Sequence, residues 1–211
     1  MTAVDLYWIP LGAGSRCVRL NGRVYEALAA ARRGRERCRL FHSALVVELA
    51  GDRYAIEVAP SPDAGEHARG VVGTGAVGSR YAGRLRLFRY EVRCWRGGSI
   101  PDLGEAVGGA HRLSSDGRVA RDLLGLVRSV PRPVWGRDEL GTGEMWNSNA
   151  VIAWLVATSG LPTEHLGPPS GGRAPGWHAG LVVARRGTTD RRSAQRPARA
   201  RTAADGGAAR G

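Results

Sequence analysis

Leu40-Phe41-His42-Ser43-Ala44-Leu45-Val46-Val47-Glu48-Leu49 leads through Gly51-Asp52-Arg53 into Tyr54-Ala55-Ile56-Glu57-Val58-Ala59-Pro60, and the fold turns on this stretch. Both runs are rich in Val, Ile and Leu, which suit a pleated, half-buried surface. The Gly-Asp-Arg step between them supplies turn chemistry, so the pair predicts an antiparallel hairpin. A turn centred on Gly51-Asp52 pairs Val46 with Glu57 and sets His42 opposite Ser61. His42 and Glu57 then share a face, about 13 Å apart at roughly 3.3 Å per residue.

Outward from this hairpin, Leu85 to Trp95 predicts another strand. Arg84 and Arg86 alternate with Leu85 and Leu87; after a phase slip, Phe88, Tyr90, Val92 and Cys94 alternate with Arg89, Glu91 and Arg93. The slip predicts a bulge near Leu87-Phe88, and the arginines read as the wet face of a half-covered sheet. Asn21-Gly22, between two short runs in Cys17 to Glu26, predicts a two-residue hairpin. Ala27 to Arg37 predicts a short helix. Gly12-Ala13-Gly14, which follows Tyr7-Trp8-Ile9-Pro10, reads as a loop, because no dinucleotide or P-loop fingerprint follows the glycines.

Ser115 and Asp116 can cap a helix running to about Val130, with Val119, Leu123, Leu126 and Val127 at helical spacing and Pro131 as its stop. Asn147 caps a second, Ser148 to Thr158, apolar on most sides and therefore expected to be buried. Ser159-Gly160-Leu161-Pro162 ends it. Leu181 to Ala184 predicts a last strand. The fold class is α+β: an antiparallel sheet packed against a few helices.

A chain of 211 residues is long enough for one domain with a substantial core. That domain is expected to span residues 1–184, because 185–211 hold eight Arg, two Asp and no large apolar residue. This Arg-rich stretch is expected to be a disordered tail. It carries half of the net charge of +12, and a weak contact with polyanions is the partner its chemistry suggests. It lacks the aromatics that a single-stranded nucleic-acid module interleaves. The three cysteines, Cys17, Cys38 and Cys94, fit neither a disulfide framework nor a zinc knuckle. No metal site or cofactor is expected; His67, His111, His165 and His178 lack ligand spacing. Without a secretory leader or an apolar run of spanning length, the chain is expected to be cytoplasmic and not stably inserted in a membrane.

The chemistry-bearing motif is Asn147-Ser148-Asn149 at the start of the buried helix. A helix N-terminus favours an anion and offers free backbone N–H groups to an oxyanion. Ser148 is thereby the candidate nucleophile, with His42 as general base. Asn147, Asn149 and Trp146 are the candidate substrate and oxyanion residues beside it, Asn147 either assisting as a second polar group or only capping the helix. Trp135, Trp146 and Trp154 surround this motif, as a pocket wall or as core.

The order of these motifs resembles the circularly permuted papain-like proteins, in particular the lecithin retinol acyltransferase-like group. There a strand-borne His comes first, a polar residue follows on the next strand, and an Asn-Cys step opens a later helix. The resemblance covers about Leu40 to Thr158. It implies a hydrolase or acyltransferase acting on an ester, thioester or amide of a small molecule, lipid or peptide. Ser148 would attack, His42 relay the proton and Glu57 orient His42; Ser61, Asp63 and Asn149 are alternatives for the third role. Ser148 stands where the family has Cys, so any activity depends fully on His42 as base. The alternative is a catalytically inert domain of the same fold that binds a peptide or lipid.

Overall fold

A computed structural model describes residues 1–12, 16–60, 70–100 and 102–205. Its centre is an antiparallel sheet of six strands: β1 (Ala3–Pro10), β2 (Arg39–Leu49), β3 (Asp52–Pro60), β4 (Val71–Ala76), β5 (Arg89–Arg96) and β6 (His111–Ser114), in the order β4-β5-β3-β2-β1-β6. A two-residue strand, β7 (Gly172–Arg173), pairs in parallel with the start of β2. Among the described residues, four α-helices accompany the sheet: α1 (Arg16–Arg32), α2 (Gly117–Leu126), α3 (Ser148–Thr158) and α4 (Trp177–Asp205). The expected α+β class is what the chain adopts.

The β2-β3 hairpin forms, with its turn one residue earlier than expected. Ala50 (φ 52°) and Gly51 (φ 88°) are its two central residues, both left-handed as a type I′ turn requires. Leu49 therefore pairs with Asp52, and Val46 faces Ala55 rather than Glu57. Because the register moves by two, each residue keeps its expected face.

The two faces of the sheet are distinct. Leu6 and Trp8 of β1, Phe41, Leu45 and Val47 of β2, Ile56 and Val58 of β3 and Tyr90 and Val92 of β5 join one core with Ala120 and Leu123 of α2 and the buried side of α3. Ile9, Ala44, Val46 and Ala55 point the other way, onto a smaller core with Ile100, Leu103 and Ala106. We call these the helix face and the strap face. α3 is apolar all round because it is sandwiched: the sheet lies on one side and α4 on another. An added Cβ at Gly180 of α4 would fall 2.1 Å from the Ala150 carbonyl oxygen, so glycine permits the close crossing.

Several expectations are corrected. Asn21-Gly22 lies inside α1, not in a hairpin. Ala, Arg, Leu and Glu outweigh the local turn signal there, and Gly22 accommodates the Leu11 side chain, 2.7 Å from where its Cβ would be. Residues 3–10 form β1, an interior strand that ends before the expected Gly12-Ala13-Gly14 loop, of which Ala13 and Gly14 lie outside the described residues. The phase slip before Tyr90 is not a bulge: Ala82–Arg84 and Arg86–Phe88 are 3-10 turns that precede β5. Arg93 is not on a wet face but buried, bonded to Glu91 and Glu57. Leu181 to Ala184 belong to α4, Trp177–Asp205, rather than to a strand. Packing of Trp177 and Ala179 on the core starts this helix, and its Ala and Arg content suits its continuation. No described helix is long and apolar enough to cross a membrane.

Candidate functional site

α3 opens as its sequence predicts. Asn147 is the N-cap: its Oδ1 accepts from the Ala150 N–H at 3.3 Å, and its Nδ2 donates to the Pro175 carbonyl at 2.8 Å. Gly176 packs on this amide so closely that a Cβ would come within 2.3 Å of Asn147 Oδ1. Ser148 is the first helical residue and only 7% exposed. Trp146 is buried in the helix-face core, its backbone bonded in both directions to the Gly136-Arg137 turn. Trp135 and Trp154 are partly buried against the same core.

The strand opposite this helix start presents Ser43, not His42. Ser43 Oγ donates to Asn149 Oδ1 at 2.9 Å in a buried bond. Asn149 Nδ2 donates in turn to the carbonyls of Phe41 and Pro175, each at 3.0 Å. One amide thus ties β2, α3 and the segment entering α4 together, with both ends satisfied. It has no group in this triangle that can take a proton near neutral pH.

His42 points to the strap face. It pairs with Ile9 across β1, and Ile9 and Ala44 mark that side of the sheet. Alternation along a strand sends neighbouring side chains to opposite faces, so the sheet itself separates His42 from Ser148. Burial lowers the His42 imidazole pKa below its ordinary value, while the Asp102 carboxylate pushes it upward. Glu57 does share the strap face with His42, as expected, but it pairs with Arg93, whose Nη1 lies 3.3 Å from Glu57 Oε1. Arg93 also donates to Glu91 Oε2 from Nε at 3.0 Å and Nη2 at 2.8 Å. The structure therefore brings Asn147, Ser148, Asn149 and Trp146 together at one helix start. It leaves His42 and Glu57 behind the sheet. The two other candidates for the third role, Ser61 and Asp63, lie outside the described residues.

No family model, no curated protein and no solved structure matches this chain.

The remaining cavities and clusters complete the picture. A cleft of about 790 Å³ lies where α1 meets the β1 and β2 ends, lined among others by Leu11, Arg23, Glu26, Cys38, Arg39 and Leu40. None of the six candidate site residues lines it. Within it, the Arg35 guanidinium beside Glu26 draws that carboxyl down to about 2, against the opposing cost of burial and with help from the Cys38 N–H and thiol. The Cys38 thiol is pushed up by burial and by Glu26, and the Cys94 thiol by burial to about 11, so neither is an activated nucleophile. Among the described residues, no group of three or more His, Cys, Asp or Glu is placed to hold a metal ion. Sequence reasoning overlooked Ser43 and Pro175. Strand parity was the available signal for Ser43: if Phe41 and Leu45 face the helices, so does Ser43, and His42 does not.

Proposed function

We propose that this chain is a non-catalytic α+β domain of papain-like motif order, which binds a lipid or peptide rather than transforming one. A single relationship supports this reading. Acyl transfer by a weak alcohol nucleophile needs a base within hydrogen-bond reach, and Ser148 and His42 lie on opposite faces of one sheet. The neighbour the strand offers is Ser43, already bonded to Asn149, and a neutral alcohol hydroxyl is no general base. The helix start retains its cap and its packing, which is what a structural role for these residues requires.

Labelling with a fluorophosphonate probe tests this. The folded full chain is expected to show no labelling that depends on Ser148. Labelling that disappears in both Ser148→Ala and His42→Ala would overturn the reading and restore the hydrolase or acyltransferase alternative.

A further inference from the structure

The connection from β4 to β5 carries large apolar side chains that stay exposed among the described residues. Tyr81 is 80% exposed, Leu85 62%, Leu87 78% and Phe88 41%, all within eight residues of chain. A soluble surface carries single exposed apolar residues routinely, whereas a concentration of this kind marks an interaction surface.

The segment is held in shape. Its two 3-10 turns close through bonds from Arg84 N to the Tyr81 carbonyl, Leu85 N to that of Ala82, and Phe88 N to that of Leu85. Arg89 reaches back with Nε to the Gly83 carbonyl at 2.6 Å and with Nη2 to that of Arg84 at 3.2 Å. Gly83 lies so close to β4 that a Cβ there would come within 2.5 Å of Ala76 Cβ. β4 is an edge strand, so the turns project from the rim of the sheet. Ordering them costs little on binding, because it is already done.

Charge selects the partner. Arg80, Arg84 and Arg86 alternate with the apolar residues and are exposed. Arg80 is paired with Glu139, while Arg84 and Arg86 make no ion pair among the described residues. A projecting apolar cluster with cations set into it matches a boundary that is apolar below and anionic above. A nucleic acid would use the arginines but offer nothing to Leu85 and Leu87, which have no face on which a base can stack.

We propose that this loop docks the protein on an anionic lipid surface. Tyr81, Leu85, Leu87 and Phe88 enter the boundary between headgroups and acyl chains, and Arg84 and Arg86 contact the lipid phosphates. The proposal rests on the binding-domain reading and gives it a partner.

Flotation of the full chain with vesicles tests it. The protein is expected to float with vesicles of equal parts phosphatidylcholine and phosphatidylglycerol, and not with phosphatidylcholine alone. Combining Leu85→Ser, Leu87→Ser and Phe88→Ser keeps every charge and is expected to lower partitioning at least ~10-fold. Combining Arg84→Gln and Arg86→Gln is expected to lower it about 5-fold per charge and to weaken its salt dependence. The replaced side chains are exposed, so circular dichroism should be unchanged. Equal flotation of the triple serine variant would transfer the binding to the Arg-rich stretch after Arg185 and overturn the proposal. A dimer that the triple variant dissolves, in the absence of lipid binding, would assign the patch to a second copy and also overturn it. Absence of flotation in a chain that the serine probe does not label removes the docking surface alone. Labelling dependent on Ser148, with flotation retained, removes the non-catalytic reading alone.

Discussion

Ser43 of β2 and Asn149 of α3, 106 residues apart in the chain, share a buried hydrogen bond of 2.9 Å. This bond occupies the junction of strand and helix start where an acyl-transfer base would have to be. The same Asn149 amide also donates to Phe41 and Pro175, so the junction is a fully paired polar cluster inside an apolar core. Such a cluster costs little while complete and much when broken.

Breaking it from the helix side should therefore cost more than breaking it from the strand side. Asn149→Ala strands the Ser43 hydroxyl and removes a donor from two carbonyls, an expected loss of about 2–4 kcal/mol. Ser43→Ala leaves Asn149 its two carbonyl partners and is expected to cost about 1 kcal/mol. Urea unfolding of both singles and the double should give a coupling energy of roughly 0.5–3 kcal/mol. Additive losses would mean that the two side chains do not act together.

A thiol placed at Ser148 should ignore His42. Papain-type thiols are activated because an imidazole within reach forms an ion pair with the thiolate, and here the sheet lies between them. The Ser148→Cys protein is expected to alkylate with iodoacetamide at the same rate with His42 present or replaced by Gln, across neutral pH. A rate that drops when His42 is replaced would reveal a path between the two groups.

Glu26 anchors the end of α1 to the start of β2 through Arg35 and the Cys38 N–H, the Arg35 Nη2 bond being 3.0 Å. Its folded carboxyl is held at about 2, below the ordinary 4.5. The contribution is therefore complete above about pH 4.5 and lost as pH falls toward about 2. Glu26→Gln should lower stability by about 1–3 kcal/mol near neutral pH and remove this part of the acid sensitivity. Identical acid unfolding curves for wild type and variant would show that Glu26 is not paired in solution.

Particular residues explain which parts of this were legible in the sequence. The β2-β3 hairpin and α3 could be read because their periodicity and caps are local: Gly51 marks the turn to within one residue, and Asn147 marks the helix start. β1 could not, because Asp5, set among its apolar residues, is paired with Arg112 of β6, a partner 107 residues away. α1 was obscured by Asn21-Gly22, a turn signal overridden by the helix around it and by Leu11 packing on Gly22. His42 lies in β2 and Ser148 opens α3, as their local patterns indicate, but the two do not share a face of the sheet. Motif order along the chain says which residues come in sequence, whereas strand parity decides which of them meet.

Two helical glycines should respond in opposite directions to the same substitution. At Gly180 a Cβ would fall 2.1 Å from the Ala150 carbonyl oxygen and 2.8 Å from Ala153 Cβ, while Gly125 of α2 has nothing within 4 Å. Gly180→Ala is expected to force α4 off α3 and cost about 1–3 kcal/mol. Gly125→Ala gains helix propensity and should stabilise by about 0.5–1 kcal/mol. Thermal unfolding of both distinguishes them; a stabilised Gly180→Ala protein would mean that the helices cross less closely than described.

His42 should make the protein acid-sensitive in a window that structure assigns to the strap face. Burial lowers its folded pKa below the ordinary 6.5, so the unfolded chain binds the proton more readily than the folded one. The sign follows: stability is complete above about pH 6.5 and is lost as pH falls from there toward the folded value. Asp102 opposes the shift, so its removal should deepen the depression. Asp102→Asn is thus expected to steepen the loss of stability on acidification, and His42→Gln to flatten it, in urea midpoints measured from mildly alkaline to mildly acidic buffer. If Asp102→Asn instead flattened the profile, the carboxylate would not be facing His42, and the strap over this side of the sheet would have to sit differently.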